Sequence, residues 1–236
     1  AAVDTFAQKG LEQIVCPGTS CWNYFTENVG YAEQNIIKLL ERGQAQGAKG
    51  VLNTAWGDCG HPSALTCTLY GVVLAAAKAW NSAGPAACEA YDRAASALLY
   101  GDPSGEVVRL LRRIGEIQLR MSWAPYVNWH FGVAHGKTAA DAAAYKENAR
   151  ECFEIASRLR VLARGNKAVA DLAIAAEGEG LVNLKAARLI LGEPKPFDGK
   201  AEAWAERYSA SWRADNKESE LSRVLDLMLS EPVSLR

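Results

Sequence analysis

Two short apolar stretches, each ending in a Gly- and Pro-rich loop and each followed by a helical pattern, constrain this chain more than any other feature. The first, Leu11-Glu12-Gln13-Ile14-Val15-Cys16, stops at Pro17-Gly18 and reads as a buried strand feeding a loop. From Asn28 or Val29 to about Gln46 the apolar positions Ile36, Ile37, Leu39 and Leu40 recur at helical spacing, with Gly47 placed as the stop. The second stretch, Gly50-Val51-Leu52-Asn53-Thr54-Ala55-Trp56, is again apolar and β-branched. It ends in Gly57-Asp58-Cys59-Gly60-His61-Pro62, which is too rich in Gly and Pro to continue a strand. Leu65 to Trp80 then reads as an apolar helix. Strand, helix, strand, helix with short links is the grammar of a parallel sheet covered by helices, and two such units alone cannot close a sheet.

From about Pro85 onward the pattern is helix after helix. Pro85 suits the first turn of a helix from Ala86 to Tyr100, and Pro103 suits the turn before Val107 to Arg120. Thr138 with Asp141 opens a helix reaching Leu162, and Asn166 opens another that reaches Leu191 before Gly192. Residues 193–199 hold two prolines and read as a linker to two last helices, Lys200 to Trp212 and Lys217 to Leu229. The expectation is a mostly α chain with a small β part, divided into a β/α portion over 1–83 and an α-helical domain over 84–236.

Composition narrows the classes of function. Of the 236 residues 49% are hydrophobic and 22% charged, so a sizeable core can be buried. Lys and Arg number 26 against 27 for Asp and Glu, which leaves no basic field for a phosphate backbone and argues against a nucleic-acid partner. No apolar run approaches the ~20 residues that span a bilayer, and no basic patch with an apolar signal core opens the chain. The chain therefore reads as soluble, without a membrane partner, and a cytoplasmic setting is favoured. Because Thr5 to Gly10 resembles the last turn of a helix, the chain is expected to be the later part of a longer polypeptide. Six cysteines are too sparse for a disulfide scaffold, so free buried thiols are expected. A metal site would recruit Cys59, His61 and Cys67, or Cys16 and Cys21, but neither set has the Cys-x-x-Cys spacing that offers two thiolates to one zinc ion. No metal and no cofactor is expected.

Ligands of parallel α/β folds bind where strand ends give way to loops. Trp56 and Asp58 fit that position, as do Trp22, Asn23 and Tyr24. A Trp face beside a carboxylate suits a sugar, because the ring covers the apolar face of a pyranose while the carboxylate accepts its hydroxyl hydrogens. The competing reading makes Trp56 a core residue capped by a loop Asp. His61, before Pro62, either lines the same rim or caps a turn. The aromatic run Trp123 to Phe131 reads as a loop packed over a helix pair, with a second sugar-binding edge as the alternative, and Arg109, Arg112, Arg113 and Arg120 read as a solvated helix face.

The stretch Cys16-Pro17-Gly18-Thr19-Ser20-Cys21-Trp22-Asn23-Tyr24-Phe25, followed by Asn53-Thr54-Ala55-Trp56-Gly57-Asp58-Cys59-Gly60-His61 and then Tyr70-Gly71, resembles the last two strand-helix units of the barrel in glycoside hydrolase family 20, the β-N-acetylhexosaminidases. The resemblance covers about Ile14 to Trp80, on the pattern PGTSxWN and TxWGDxGH. It implies an incomplete (β/α)8 TIM barrel, represented here by its last two β/α units and followed by an α-helical domain. It also implies that Trp56 walls an N-acetylhexosamine pocket, that Asp58 binds sugar hydroxyls, and that Trp22, Asn23 and His61 are further pocket candidates. In such enzymes the substrate's own acetamide attacks the anomeric carbon, an Asp orients it and an adjacent Glu serves as acid and base. No Asp-Glu dipeptide occurs in this chain, so the catalytic pair is expected outside it, on an upstream segment or a second chain that supplies the remainder of the barrel. Two alternatives stay open: a helical interaction or scaffold module without catalysis, and a small metal enzyme using Cys59, His61 and Cys67.

Overall fold

Alternation of strand and helix holds in the first part of the chain. In the computed structural model α1 (Ala2–Gln8) leads to β1 (Ile14–Val15), α2 (Val29–Ala45), β2 (Gly50–Val51), a 3-10 turn (Leu65–Thr68) and α3 (Leu69–Trp80). The structure describes residues 2–57, 61–81, 89–133, 136–195 and 198–231. Asp58, Cys59, Gly60, Pro85, Cys88 and His135, and the expected boundary at 83/84, lie outside the described residues. The two strands pair in parallel, with Ile14 opposite Gly50 and Val15 opposite Val51. Both are shorter than their apolar runs, because Pro17 has no N–H to donate and pairing resumes only as a single bridge between Gly18 and Thr54. Asn28 starts α2 by accepting the Tyr31 N–H at 3.0 Å, and the buried stripe Val29, Ala32, Ile36, Leu40 turns the helix toward the strands.

The rest is helical, and the chain as a whole is mostly α with a small β part. It comprises α4 (Glu89–Tyr100), α5 (Glu106–Gln118), α6 (Trp123–His130), α7 (Ala139–Ala163), α8 (Lys167–Leu191), α9 (Lys200–Asp215) and α10 (Leu221–Leu229). Thr138 and Asp141 open α7 as expected and do so through a capping box, Asn166 caps α8 through the Val169 N–H, and Gly192 at φ 66° ends it. α8 is buried on nearly every side from Ala168 to Arg188 and forms the axis of this part. Among the described residues no helix is long and apolar enough to cross a membrane.

Three expectations are corrected here. Trp123 to His130 is a helix and not a loop: Trp123, Tyr126 and Trp129, three residues apart, share its buried face, and Pro125 sits in the first turn, where a missing N–H costs nothing. Pro103 does not open α5, whose cap is Gly105; the Asp102 carboxylate accepts the Val107 N–H at 2.8 Å in its place. Arg112 is not on a solvated face. Its guanidinium donates to Asp92 at 2.7 Å and to Glu33 at 2.9 Å, with the Tyr70 hydroxyl 3.0 Å away, tying together α2, α3, α4 and α5. Arg109, with 69% of its side chain exposed, does stay in solvent.

Candidate functional site

The carboxyl ends of β1 and β2 open into adjoining loops that are tied to each other. The Thr54 N–H and hydroxyl both donate to the Pro17 carbonyl, at 2.8 and 2.9 Å, and the Thr19 N–H donates to the Thr54 carbonyl at 2.9 Å. Gly18 is required where the loops cross, because a Cβ there would stand 2.9 Å from the Trp22 ring and 3.1 Å from the Thr54 hydroxyl.

Trp56 stands at the end of the second loop. Its indole N–H donates to the Thr54 hydroxyl at 2.9 Å and its carbonyl accepts the Cys21 thiol at 3.4 Å, so both ring and backbone are held. The side chain nonetheless remains open, at 60% exposure, which makes a fixed aromatic face that a ligand can cover. The core reading of Trp56 is therefore corrected. His61 adopts a left-handed backbone at φ 31° and its ring lies against Gly57, next to Trp56. Asp58, between them in sequence, lies outside the described residues. Trp22 and Asn23 occupy the centre of a turn closed by the Tyr24 N–H on the Cys21 carbonyl at 3.1 Å. The Trp22 ring lines an open groove with Ser20, Tyr31 and Asn35 along α2, and Trp56 is not part of that groove. The fold thus sets His61 against the residue that follows Trp56, while Trp22 lies at the Gly18 crossing and faces the groove along α2.

Behind the first loop lies an anchor that the sequence pattern did not reveal. Glu27 is fully buried, and its carboxylate accepts the Gly71 N–H at 2.8 Å in the first turn of α3, where Thr68 makes no cap with its own side chain. A Cβ at residue 71 would stand 2.5 Å from that oxygen, which is why a glycine occupies the position. Burial pushes the Glu27 carboxyl up to about 8; the N–H groups of Gly71 and Tyr70 and the Arg112 charge pull the other way, and Glu33 adds to the rise. The neighbouring backbone is held by α5: Gln118 accepts the Phe25 and Thr26 N–H groups at 3.0 and 3.1 Å, and Asn28 donates to the Gly115 carbonyl at 2.8 Å. A Glu placed just before a helix cap, with a glycine in the first turn of the next helix, is the only trace of this anchor in the sequence.

Within residues 16–28, 52–57 and 61–64 the described carboxylate is Glu27 alone, and it is sealed from solvent. These loops can bind through an aromatic face, hydroxyls and an imidazole; they present no accessible acid among the described residues. Among the described residues no three metal-ligating side chains come together, Cys16 is exposed, and burial pushes the Cys67 thiol far up, so that it stays protonated and a poor ligand. No protein-family model matches this chain, and no curated protein matches it.

Proposed function

We propose that this chain is the carboxyl-terminal portion of a family 20 β-N-acetylhexosaminidase-like glycoside hydrolase, comprising the last two β/α units of its barrel and the helical domain that follows. The observation that carries this reading is the uncovered face of the strand pair. Parallel strands are found with both faces covered. Here Val15 packs under α2 at 5% exposure, whereas Ile14, Leu52 and Trp56 stay 63%, 59% and 60% exposed. Ile14 lies opposite Gly50, two residues before Leu52, so Ile14 and Leu52 fall on the same face of the pair and an apolar layer stays exposed there. An inner barrel face completed by six further strand-helix units, upstream or on a second chain, would use that layer.

In this reading Trp56 covers the apolar face of a terminal N-acetylhexosamine, Asp58 accepts its hydroxyl hydrogens, and His61 and Asn23 border the pocket. The reaction is retaining hydrolysis assisted by the substrate: the acetamide oxygen attacks the anomeric carbon, an upstream Asp orients it, and the adjacent Glu protonates the leaving oxygen and then activates water. Both catalytic carboxylates lie outside this chain.

Hydrolysis of an aryl N-acetyl-β-glucosaminide tests the proposal. The isolated chain is expected to be inactive, and the same chain joined to the missing strand units active. In the active form Trp56→Ala and Asp58→Ala should each lower kcat/KM by on the order of ten- to a hundredfold, corresponding to 1–3 kcal/mol, with the melting temperature unchanged. Turnover by the isolated chain, or unaltered kcat/KM in both variants, overturns the reading.

A further inference from the structure

A second concave site is built wholly by the helical part, between α8, the first turn of α9 and the end of α10. It is a cavity of about 310 Å3, at the small end of the range for small-molecule sites. Leu181, Leu184, Ala201 and Met228 supply an apolar floor, and charged side chains surround it.

The charges do not cancel. Among the described residues each acid of the rim is already engaged by a cation: Glu193 by Lys146 at 2.7 Å, Asp198 by Lys200 at 3.0 Å, Glu202 by Lys195 at 3.5 Å and Glu231 by Arg188 at 3.0 Å. Lys185 is left over. Its Nζ donates to the carbonyls of Leu227, Met228 and Ser230 at 3.3, 2.8 and 2.8 Å, and among the described residues it forms no ion pair. Carbonyl dipoles solvate an ammonium without neutralising it. Burial accordingly pushes Lys185 down to about 8; Glu231 and Glu202 counter this, and Lys195 and Arg188 reinforce it. An anion placed in the cavity would relieve that unbalanced charge, and one surplus cation matches one negative charge better than the two of a phosphate.

We propose that this cavity binds a small amphipathic carboxylate, with a short hydrocarbon chain on Leu181, Leu184 and Met228 and the anionic head at the mouth beside Arg188 and Lys195, within the field of Lys185. The site shares no residue with the strand-end loops, so it stands or falls independently of the glycosidase reading.

Calorimetric titration of the 236-residue chain with octanoate, and with octanol as the neutral analogue of equal length, provides the test. Octanoate should bind saturably at one site, at least about tenfold more tightly than octanol, with the advantage shrinking as salt is raised. Lys195→Gln, which keeps a donor toward the Leu229 carbonyl at this half-buried position of the mouth, should remove most of that advantage. Leu184→Trp, which fills the floor, should abolish binding of both probes while the melting transition is kept. Absence of saturable octanoate binding, equal affinity for octanol, or unchanged binding in Lys195→Gln overturns the proposal. Should Leu184→Trp fail to fold, Lys195→Gln and the octanol comparison decide it.

Discussion

The helices and the strand pair treat their large apolar residues differently. In the former, Ile36 and Leu74 as well as Leu111, Ile114, Trp123, Tyr126 and Trp204 are completely enclosed. In the latter, successive residues of β1 part company, Val15 under a helix and Ile14 in the open. A helix hides its apolar stripe against neighbours that its own chain can supply within a few turns, whereas a parallel strand needs lateral strands and a second covering layer. The contrast leaves the apolar face of the strand pair open, while the helices of both parts bury their stripes in a single shared core.

Phe25 is where the two regions are joined. It leaves the first loop to enter the helical core, meeting Trp123 edge-on at 5.4 Å and Trp204 at 6.2 Å and lying against Gly178 of α8. The largest expected effect therefore comes from Phe25→Ala, which should destabilise the chain by about 3–5 kcal/mol. Urea unfolding followed by tryptophan fluorescence checks the magnitude. A second transition in the variant would mean that the regions fold separately once unpinned; an unchanged midpoint would remove Phe25 as the joint.

An intermediate effect is expected from pH, because among the described residues each region seals one carboxyl completely from solvent. Glu27 belongs to the strand-bearing part; Glu179 of α8 belongs to the helical part, where burial likewise pushes it up to about 8 against the opposing bond from Asn183 at 2.7 Å. A raised pKa means that the native state holds protons the unfolded chain has released, so this contribution is complete below the ordinary carboxyl range of about 4.5 and is lost as pH rises toward 8. Chemical denaturation at pH 5 and pH 8 should show the wild type losing on the order of a few kcal/mol relative to Glu27→Gln/Glu179→Gln, which keeps both sites neutral. Parallel pH profiles for the two proteins would show that these carboxyls titrate normally.

The smallest effect should come from the uncovered face itself. Leu52→Thr alters a side chain that is 59% exposed, and in the isolated chain it should change stability by no more than about 0.5 kcal/mol. Under the proposed function, the same change should weaken or abolish assembly with the further strand units, as read by recovery of the proposed glycosidase activity. A large loss of stability in the isolated chain would show that Leu52 is already covered and that the contrast between the two regions is smaller than its exposure implies.

How much of this was legible beforehand follows from the range over which each interaction acts. Asn28, Thr138 with Asp141, Asn166 and Gly192 announced helix ends because a cap bonds to backbone only a few residues away, and the two apolar runs with their Gly-Pro loops announced the strand-helix alternation. α6 was misread because aromatic density around Pro125 obscured a three-residue spacing that was present all along. The open face of Trp56 could be suspected from its place at a strand end, but its exposure depends on which strands stand beside it.

The sequence by itself determined where α2, α7 and α8 begin and end, which of their faces are apolar, and that no Asp-Glu dipeptide is present. Only the tertiary structure decided the fates of Glu27, Arg112 and Lys185. Glu27 meets the Gly71 N–H across 44 positions, Arg112 meets Glu33 across 79, and Lys185 meets the end of α10 across 42 to 45. A charged residue in a helical pattern carries the same local signature whether it faces water or another element. What separates the two cases is desolvation and the distant groups that compensate it, and both come into being only when the helices pack.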